Sequence, residues 1–499
     1  MSVAAPPVER ARAQPAVVWL YQAIVVYLIV LRIWFDVAVS PMGDEAYYWI
    51  WGQRPQLSYF DHPPLHAWLL GMVSLVLGWT PFAVRALTWV SLAGSLAILW
   101  LIAGRTVATE QRWHRFWESA AIFMSLPVIA TATVPGVHDH LLVALCLGAF
   151  YCALVFASEF EVGRRRLPLF YGAAVLIGLA TLTKYNGALM ALGFAVFLVI
   201  RPSLRSLWRS PHPYLAALII ATIQAPVLIW NLSTDFATLS LHFSERMASH
   251  WGEMRPLDGL RFIVSMALPL GPFFLIGVVM LPFAKLAAPV ERLNRSLILT
   301  LFVVSSSFLA VAASFTMVLL HWNIIAYAAA ATMGPAILRS PWLKWPHFAL
   351  GLYLASVVTW NYAAYPIRVP LFEDGETVRN AGWPKVADAV RTVRKEHPDA
   401  FVASTDYTYA ARLAFQLRDP SVHAFGPNAL QYALWWDPSA HLGQDALIVA
   451  DPSYSMAVVE PQFRSITELT QVPVQLNGAH VWTFHIYLAK DYLGPAVAH

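Results

Sequence analysis

Long apolar runs, separated by short polar breaks, organise the first three quarters of this chain. They fall at about 17–37, 82–103, 117–134, 141–157, 168–183, 187–200, 214–231, 260–284, 297–313, 322–338 and 346–366. Each is long enough, or nearly so, to cross a hydrocarbon core of about 30 Å as a helix. The pattern predicts a polytopic α-helical membrane protein with about eleven transmembrane helices. A twelfth stretch, 65–78, has fourteen residues, or about 21 Å as a helix, and its length does not decide whether it crosses.

Charge decides. If 65–78 lies on the surface, Arg10, Arg12, Arg105, Arg112, Arg115, Arg164 to Arg166, Arg201, Arg205, Arg209, Lys285, Arg292, Arg295, Arg339 and Lys344 all fall on one side, sixteen positive charges together. The opposite loops hold only Arg54, Lys184, Arg246 and Arg255. The positive-inside rule then places the N-terminus in the cytoplasm and 65–78 along the outer surface, with Trp68 and Trp79 at headgroup depth. The first run reads as a retained anchor, because Arg32 and Asp36 interrupt its end and no small-residue cleavage site precedes a plausible cut.

The pattern changes after Tyr365. Residues 367–499 hold ten Lys and Arg and no spanning run. A helix over 383–397, a strand over 401–404, a helix over 407–417 and strands near 446–450 and 481–487 predict a soluble α/β domain. With an odd number of spans it lies outside, in the periplasm, on the face that also carries 38–81. The expected division is 1–366 in the membrane, with surface helices within 38–81, and 367–499 outside it.

Composition agrees: 58% of residues are hydrophobic and 12% charged, against about 25% charged in soluble proteins. A net charge of +4 does not suggest a nucleic-acid partner. Cys146 and Cys152, six residues apart in one run, point about 240° apart on a helix and cannot pair. No disulfide framework or cysteine-ligated zinc is available.

The outer loops gather the polar residues that are hardest to explain. The first holds Asp44, Glu45, Asp61, His62 and His66, the second His138, Asp139 and His140, and the third Lys184, Tyr185 and Asn186. The loop 232–259 adds Asp235, His242, Glu245, Arg246 and His250, and the last adds His321. Structural roles are available for several: Asp44 as a helix N-cap with Glu45 in the first turn, His62-Pro63-Pro64 as a turn, Asp139 as a cap, Lys184 snorkelling, and His321-Trp322-Asn323 in an aromatic belt. Such roles would not need one side of the membrane, yet the acids and unexplained cations collect there. No nucleotide-binding fingerprint is present.

Gly43-Asp44-Glu45-Ala46-Tyr47-Tyr48 followed by Tyr59-Phe60-Asp61-His62-Pro63-Pro64-Leu65 resembles the first outer loop of bacterial GT-C glycosyltransferases related to protein O-mannosyltransferases and the lipid A aminoarabinose transferase. Pro135 to Leu142, "GLATLTKYNG" at 178–187, "PVLIWN" at 226–231, "HWN" at 321–323 and "AGWPKVADAV" at 381–390 extend it over essentially the whole chain. The resemblance implies a GT-C fold and transfer of a sugar from a polyprenyl-phosphate donor to a periplasm-facing acceptor, either lipopolysaccharide, lipid A or another envelope glycolipid, or a protein hydroxyl. The family's acids fall on Asp44, with Glu45 beside it, and on Asp139. Where the aminoarabinose enzymes read Glu-Lys-Pro this chain has Asp61-His62-Pro63, and His carries charge only part of the time near neutral pH.

A phosphate leaving group needs no proton, so the chemistry calls for one carboxylate to take the acceptor's proton and cations to hold phosphate charge. Asp44 is the expected base, with Glu45 and Asp139 beside it. His62, Lys184, Tyr185 and Arg246 are expected at the donor phosphate, and Tyr59, His138 and His321 in the acceptor pocket. No cofactor is required; a divalent metal would find candidate ligands in Asp61 and His242. The lipid bilayer is the implied surrounding. A transporter or a non-catalytic envelope-assembly subunit remains open, although a transporter tends to place its ionisable groups at mid-membrane.

Overall fold

The computed structural model describes residues 15–236, 255–364, 379–426, 428–476 and 479–495. Within them, all eleven apolar runs are helical. Four single helices are long and apolar enough to cross a membrane: α1 (Pro15–Ala38), α4 (Pro81–Thr106), α7 (Asp139–Glu161) and the helix Pro289–Ala313. Three bent pairs raise the number to seven if each pair is one span. Proline makes these bends. Pro202, Pro226 and Pro272 each stand in the first turn after a break, where the missing N–H ends the preceding ladder, and the pairs turn by 106°, 46° and 112°.

Between the long helices lie α2 (Gly43–Gln53), α3 (Leu65–Leu77), α5 (Thr109–Ser125) and α6 (Pro127–Ala132), and α8 (Leu167–Thr183) follows α7. The stretch expected on the surface is α3, thirteen residues long. It packs on α2 and α4 through His66, Ala67 and Leu70, and leaves Met72, Leu75 and Val76 exposed. Exposed apolar side chains of this kind recur along the helices, at Val37, Phe283 and Trp342 among others, as a lipid-facing surface requires.

The tail carries a five-stranded sheet in the order β2-β1-β3-β5-β4. Strands β1 (Phe401–Ser404), β2 (His423–Ala424) and β3 (Ala446–Ala450) are parallel, and β5 (Ala479–Tyr492) runs antiparallel to both β3 and β4 (Phe463–Leu476). Helices Trp383–Arg394 and Tyr407–Leu417 pack together beside the sheet. Sequence reading anticipates both helices and three of the strands but not β2, which is two residues long, nor β4, in which charged and polar residues interrupt the apolar alternation.

The tail does not stand apart from the membrane part. Tyr47, Trp49, Trp51 and Val84 belong to one buried cluster with Trp383, Tyr409, Leu413, Phe415 and Phe484. Helix α2 lies along Tyr407–Leu417 so closely that a Cβ at Gly43 would sit 2.7 Å from the Thr408 Cβ. Polar contacts complete the seam: the Gln431 backbone N–H donates to the Tyr47 hydroxyl at 3.0 Å, and the Phe60 N–H donates to the Gln431 side-chain oxygen Oε1 at 2.7 Å.

Candidate active site

Helix α2 begins at Gly43, and its cap is the Met42 backbone N–H, which donates to Glu45 at 2.9 Å. Asp44 is therefore not the cap that the sequence suggests. It stands in the first turn, exposed, where the positive end of the helix dipole favours a carboxylate. The Tyr407 hydroxyl donates to it at 3.0 Å. Burial, and then the charge of Asp44, push the Tyr407 phenol far above its ordinary range, so tyrosine keeps the proton and orients the acid.

Glu45 points the other way and is fully buried. Its two oxygens accept from Arg85 Nε at 2.8 Å, Arg85 Nη2 at 2.7 Å, the Gly136 N–H at 2.6 Å and the Met42 N–H. Four donors occupy the four lone-pair positions of a carboxylate. Burial alone would raise this acid's pKa, but the Arg85 charge and these bonds hold it below the ordinary value. Glu45, expected beside Asp44 in the chemistry, is instead a structural tie. Only glycine serves at 136, because a Cβ there would lie 2.4 Å from the Val84 carbonyl oxygen.

Arg85, which sequence reasoning missed, holds this tie. It is fully buried in α4, and besides Glu45 it donates to the carbonyls of Phe35, Val39 and Ser40 at the end of α1. Asp36 lies 3.9 Å from its Nε, and Arg32 reaches the Thr133 carbonyl nearby. The signal was present: one arginine inside an otherwise apolar span, with Arg32 and Asp36 breaking the end of the first run.

Asp139 and Lys184 form the second element. Asp139 opens α7, one position before the start expected for that helix, with His138 as its N-cap residue. Lys184 follows the last turn of α8, and its Nζ lies 2.9 Å from each Asp139 oxygen, both side chains buried. The lysine does not reach toward solvent; it is paired. An ammonium has three N–H donors, and this pairing uses two.

These groups share a cavity of about 610 Å³ lined by Asp44, Tyr48, Asp61, His62, His138 and the Asp139–Lys184 pair, closed by Leu319, His321 and Trp322 on one side and by Tyr407, Thr408 and Leu430 of the tail on another. Its size suits a small ligand group or a lipid head. The His138 ring lies 4.2 Å from Tyr48, 4.4 Å from His62 and 4.7 Å from His66. Burial, followed by the neighbouring imidazoles, holds His138 well below its ordinary pKa, and burial takes His66 down to about 3. His321 is lowered by burial, with Asp139 pulling it up and Lys184 pushing it down. These three are neutral near pH 7.

Of the other expected residues, Tyr59 does not line the cavity. It stacks on Trp51 at 4.4 Å and its hydroxyl donates to the Trp51 carbonyl at 2.9 Å, which fixes the loop between α2 and α3. Tyr185 lies in a short turn just beyond Lys184, outside the cavity lining. Arg246 and His242 fall outside the described residues. Asp61 lines the cavity, but among the described residues no group of three or more His, Cys, Asp or Glu is placed to hold a metal. Tyr407, Thr408 and Leu430 were missed because nothing local in their sequence ties them to a loop more than 350 residues earlier.

Residues 61–230 match the family model described as dolichyl-phosphate-mannose-protein mannosyltransferase. A lipid A galacturonosyltransferase of Rhizobium johnstonii is 25% identical over 440 residues, 84% of this chain and 88% of that one. The undecaprenyl phosphate-α-4-amino-4-deoxy-L-arabinose arabinosyl transferase of Shewanella sediminis is 26% identical over 152 residues, 30% of this chain and 26% of its own. The structure of ArnT from Cupriavidus metallidurans bound to undecaprenyl phosphate aligns over 95% of this chain and 98% of that one, with a TM-score of 0.59 at 15% identity. Its apo state aligns with a TM-score of 0.56. The chain thus shares the ArnT-like GT-C fold and is similar along most of its length to a lipid A galacturonosyltransferase.

Proposed function

We propose that this enzyme moves a sugar from a polyprenyl-phosphate carrier to a hydroxyl of lipid A or a related envelope glycolipid, at the outer face of the bacterial inner membrane. The observation that carries this reading is the cavity at the helix ends, where an exposed carboxylate faces a buried Asp–Lys pair across one space. A lipid acceptor is favoured over a protein one because the relative that matches most of the chain is named for lipid A. In this reading all eleven apolar runs cross, and the loop 38–81 and the tail lie in the periplasm, as the distribution of Lys and Arg favours.

In the reaction, Asp44 accepts the proton of the acceptor hydroxyl as its oxygen attacks the anomeric carbon. The bond from that carbon to the phosphate oxygen breaks, and polyprenyl phosphate leaves with the bonding electrons. It needs no proton, but its gathering charge needs donors. The third N–H of Lys184 serves here, with Asp139 holding the ammonium at the wall, and His62 and His321 contribute hydrogen bonds. Glu45 and Arg85 fix the turn that presents Asp44. Each step is drawn through protein groups; a divalent metal at Asp61 would be an addition to it.

The test is Asp44→Asn. The helix cap is made by Met42 and Glu45, so the substitution leaves it intact. Transfer from the polyprenyl-phosphate sugar to lipid A should slow at least ~100-fold, the lower size of a general-base contribution, with insertion and thermal stability unchanged. Near-normal turnover would remove Asp44 from the chemistry.

A further inference from the structure

A second cavity, of about 380 Å³, shares a stretch of lining chain with the first. It is lined by Arg255, Asp258, Arg261 and Ser265 from the start of helix Pro256–Ser265, and by Ser314 and Thr316 just past Pro289–Ala313. The wall between the two cavities is the chain from 318 to 321. This chain runs into the 3-10 turn Leu320–Asn323; Val318 and Leu320 line the second cavity, and Leu319 and His321 line the first. The wall is pinned in place: the Asn186 side chain donates to the Trp322 carbonyl at 2.7 Å, and the Tyr327 hydroxyl donates to the Leu320 carbonyl at 3.3 Å. The Arg255 N–H donates to the Ser314 carbonyl at 2.9 Å, which joins the two sides of the second cavity.

We infer that this second cavity binds an anionic group of the acceptor glycolipid, a phosphate or a carboxylate on its saccharide, while the hydroxyl that receives the sugar reaches Asp44 in the first cavity. The inference rests on the proposed function and deepens it. Two guanidiniums and three hydroxyls, of which Ser314 donates to the Ala310 carbonyl at 3.2 Å, form the kind of donor set that oxyanions take. Arg261 donates through Nη1 to Asp258 at 2.7 Å in an exposed pair, and pairs of that kind are held weakly, so an arriving oxyanion competes for the guanidinium. One stretch of chain, Val318 to His321, lines both cavities, so one extended acceptor saccharide can reach from one to the other. Among the described residues the lysine of the catalytic cavity, Lys184, is committed to Asp139 and, in the reaction, to the donor.

The experiment uses the full-length enzyme in nanodiscs, with lipid A and with lipid A stripped of its anionic groups as acceptors. Arg255→Gln and Arg261→Gln, singly and together, are exposed substitutions that leave the core untouched. The double variant should raise KM for the charged acceptor at least tenfold, leave the KM for donor unchanged, and leave use of the stripped acceptor as it is in wild type. Unchanged KM for the charged acceptor would overturn the inference. An equal loss with both acceptors would also overturn it, because the arginines would then be holding the enzyme to phospholipid headgroups. If wild type transfers sugar to neither lipid, the proposed function itself fails, an outcome distinct from both.

Discussion

Two neighbouring acids, Asp44 and Glu45, should fail in opposite ways. In Glu45→Gln, the amide keeps one accepting oxygen where the carboxylate has two, and its NH2 group faces two of the four donors that Glu45 now satisfies. Arg85 is left fully buried without its bidentate partner. Breaking a buried ion pair from one side costs about 3–5 kcal/mol. The lower end applies here, because Asp36 lies 3.9 Å away and the carbonyls of Phe35, Val39 and Ser40 still accept from the guanidinium. The loss of about 3 kcal/mol should appear as a lowered unfolding midpoint of purified protein in detergent. Folded protein that survives should keep much of its turnover, whereas Asp44→Asn shows the reverse. Arg85→Met should cost as much as Glu45→Gln, and the double variant should cost less than the two together, since neither partner then remains buried alone. A Glu45→Gln enzyme with wild-type stability and a hundredfold loss of turnover would refute this and return Glu45 to the chemistry.

Tyr407→Phe removes one hydrogen bond to Asp44; for a bond to a charged but exposed group worth about 1.5 kcal/mol, turnover should fall roughly tenfold with donor affinity unchanged. His66 has a native pKa of about 3 against an unfolded value of about 6.5, so below pH 6.5 the unfolded state binds a proton that the native state does not. Stability should therefore fall with acid by up to ~1.4 kcal/mol per pH unit from this group, and thermal unfolding between pH 7 and pH 5 should show a shallower slope in His66→Gln. With Cys146 and Cys152 replaced, Ser455→Cys, at an exposed position of the tail, should react with an impermeant thiol reagent in intact spheroplasts; labelling only after lysis would reverse the proposed orientation.

The helices were legible because the bilayer imposes a length on apolar runs, and the polar positions Asp44, Asp139 and Lys184, which line one cavity, stood out because they lie between such runs. Their partners were not. Nothing in the local sequence separates an acid that faces a cavity from one saturated by donors, and Glu45 was misplaced for that reason. Tyr59 was drawn into the pocket by its nearness to Asp61, although its ring is spent on Trp51. Arg85 needed only the observation that a lone charge in a span must have a partner, whereas Tyr407 and Leu430 depend on the tail folding back over the first loop. The bends escaped hydropathy because a proline break leaves a run just as apolar.

The seam between α2 and the tail also sets an order in time. Tyr47 finds its Gln431 partner 384 residues later in the chain, and synthesis at about 5–20 residues per second separates the two by roughly 20 to 80 seconds. For that interval Tyr47, Trp49 and Trp51 have left the ribosome without the surface that will cover them. The nascent loop must wait against the membrane or a chaperone, and a chain cut short before residue 380 would never mature its own entrance. Ribosome stalling late in the message should thus yield inserted helices that a protease clips at 43–60, and supplying the missing tail as a separate polypeptide should close that site again.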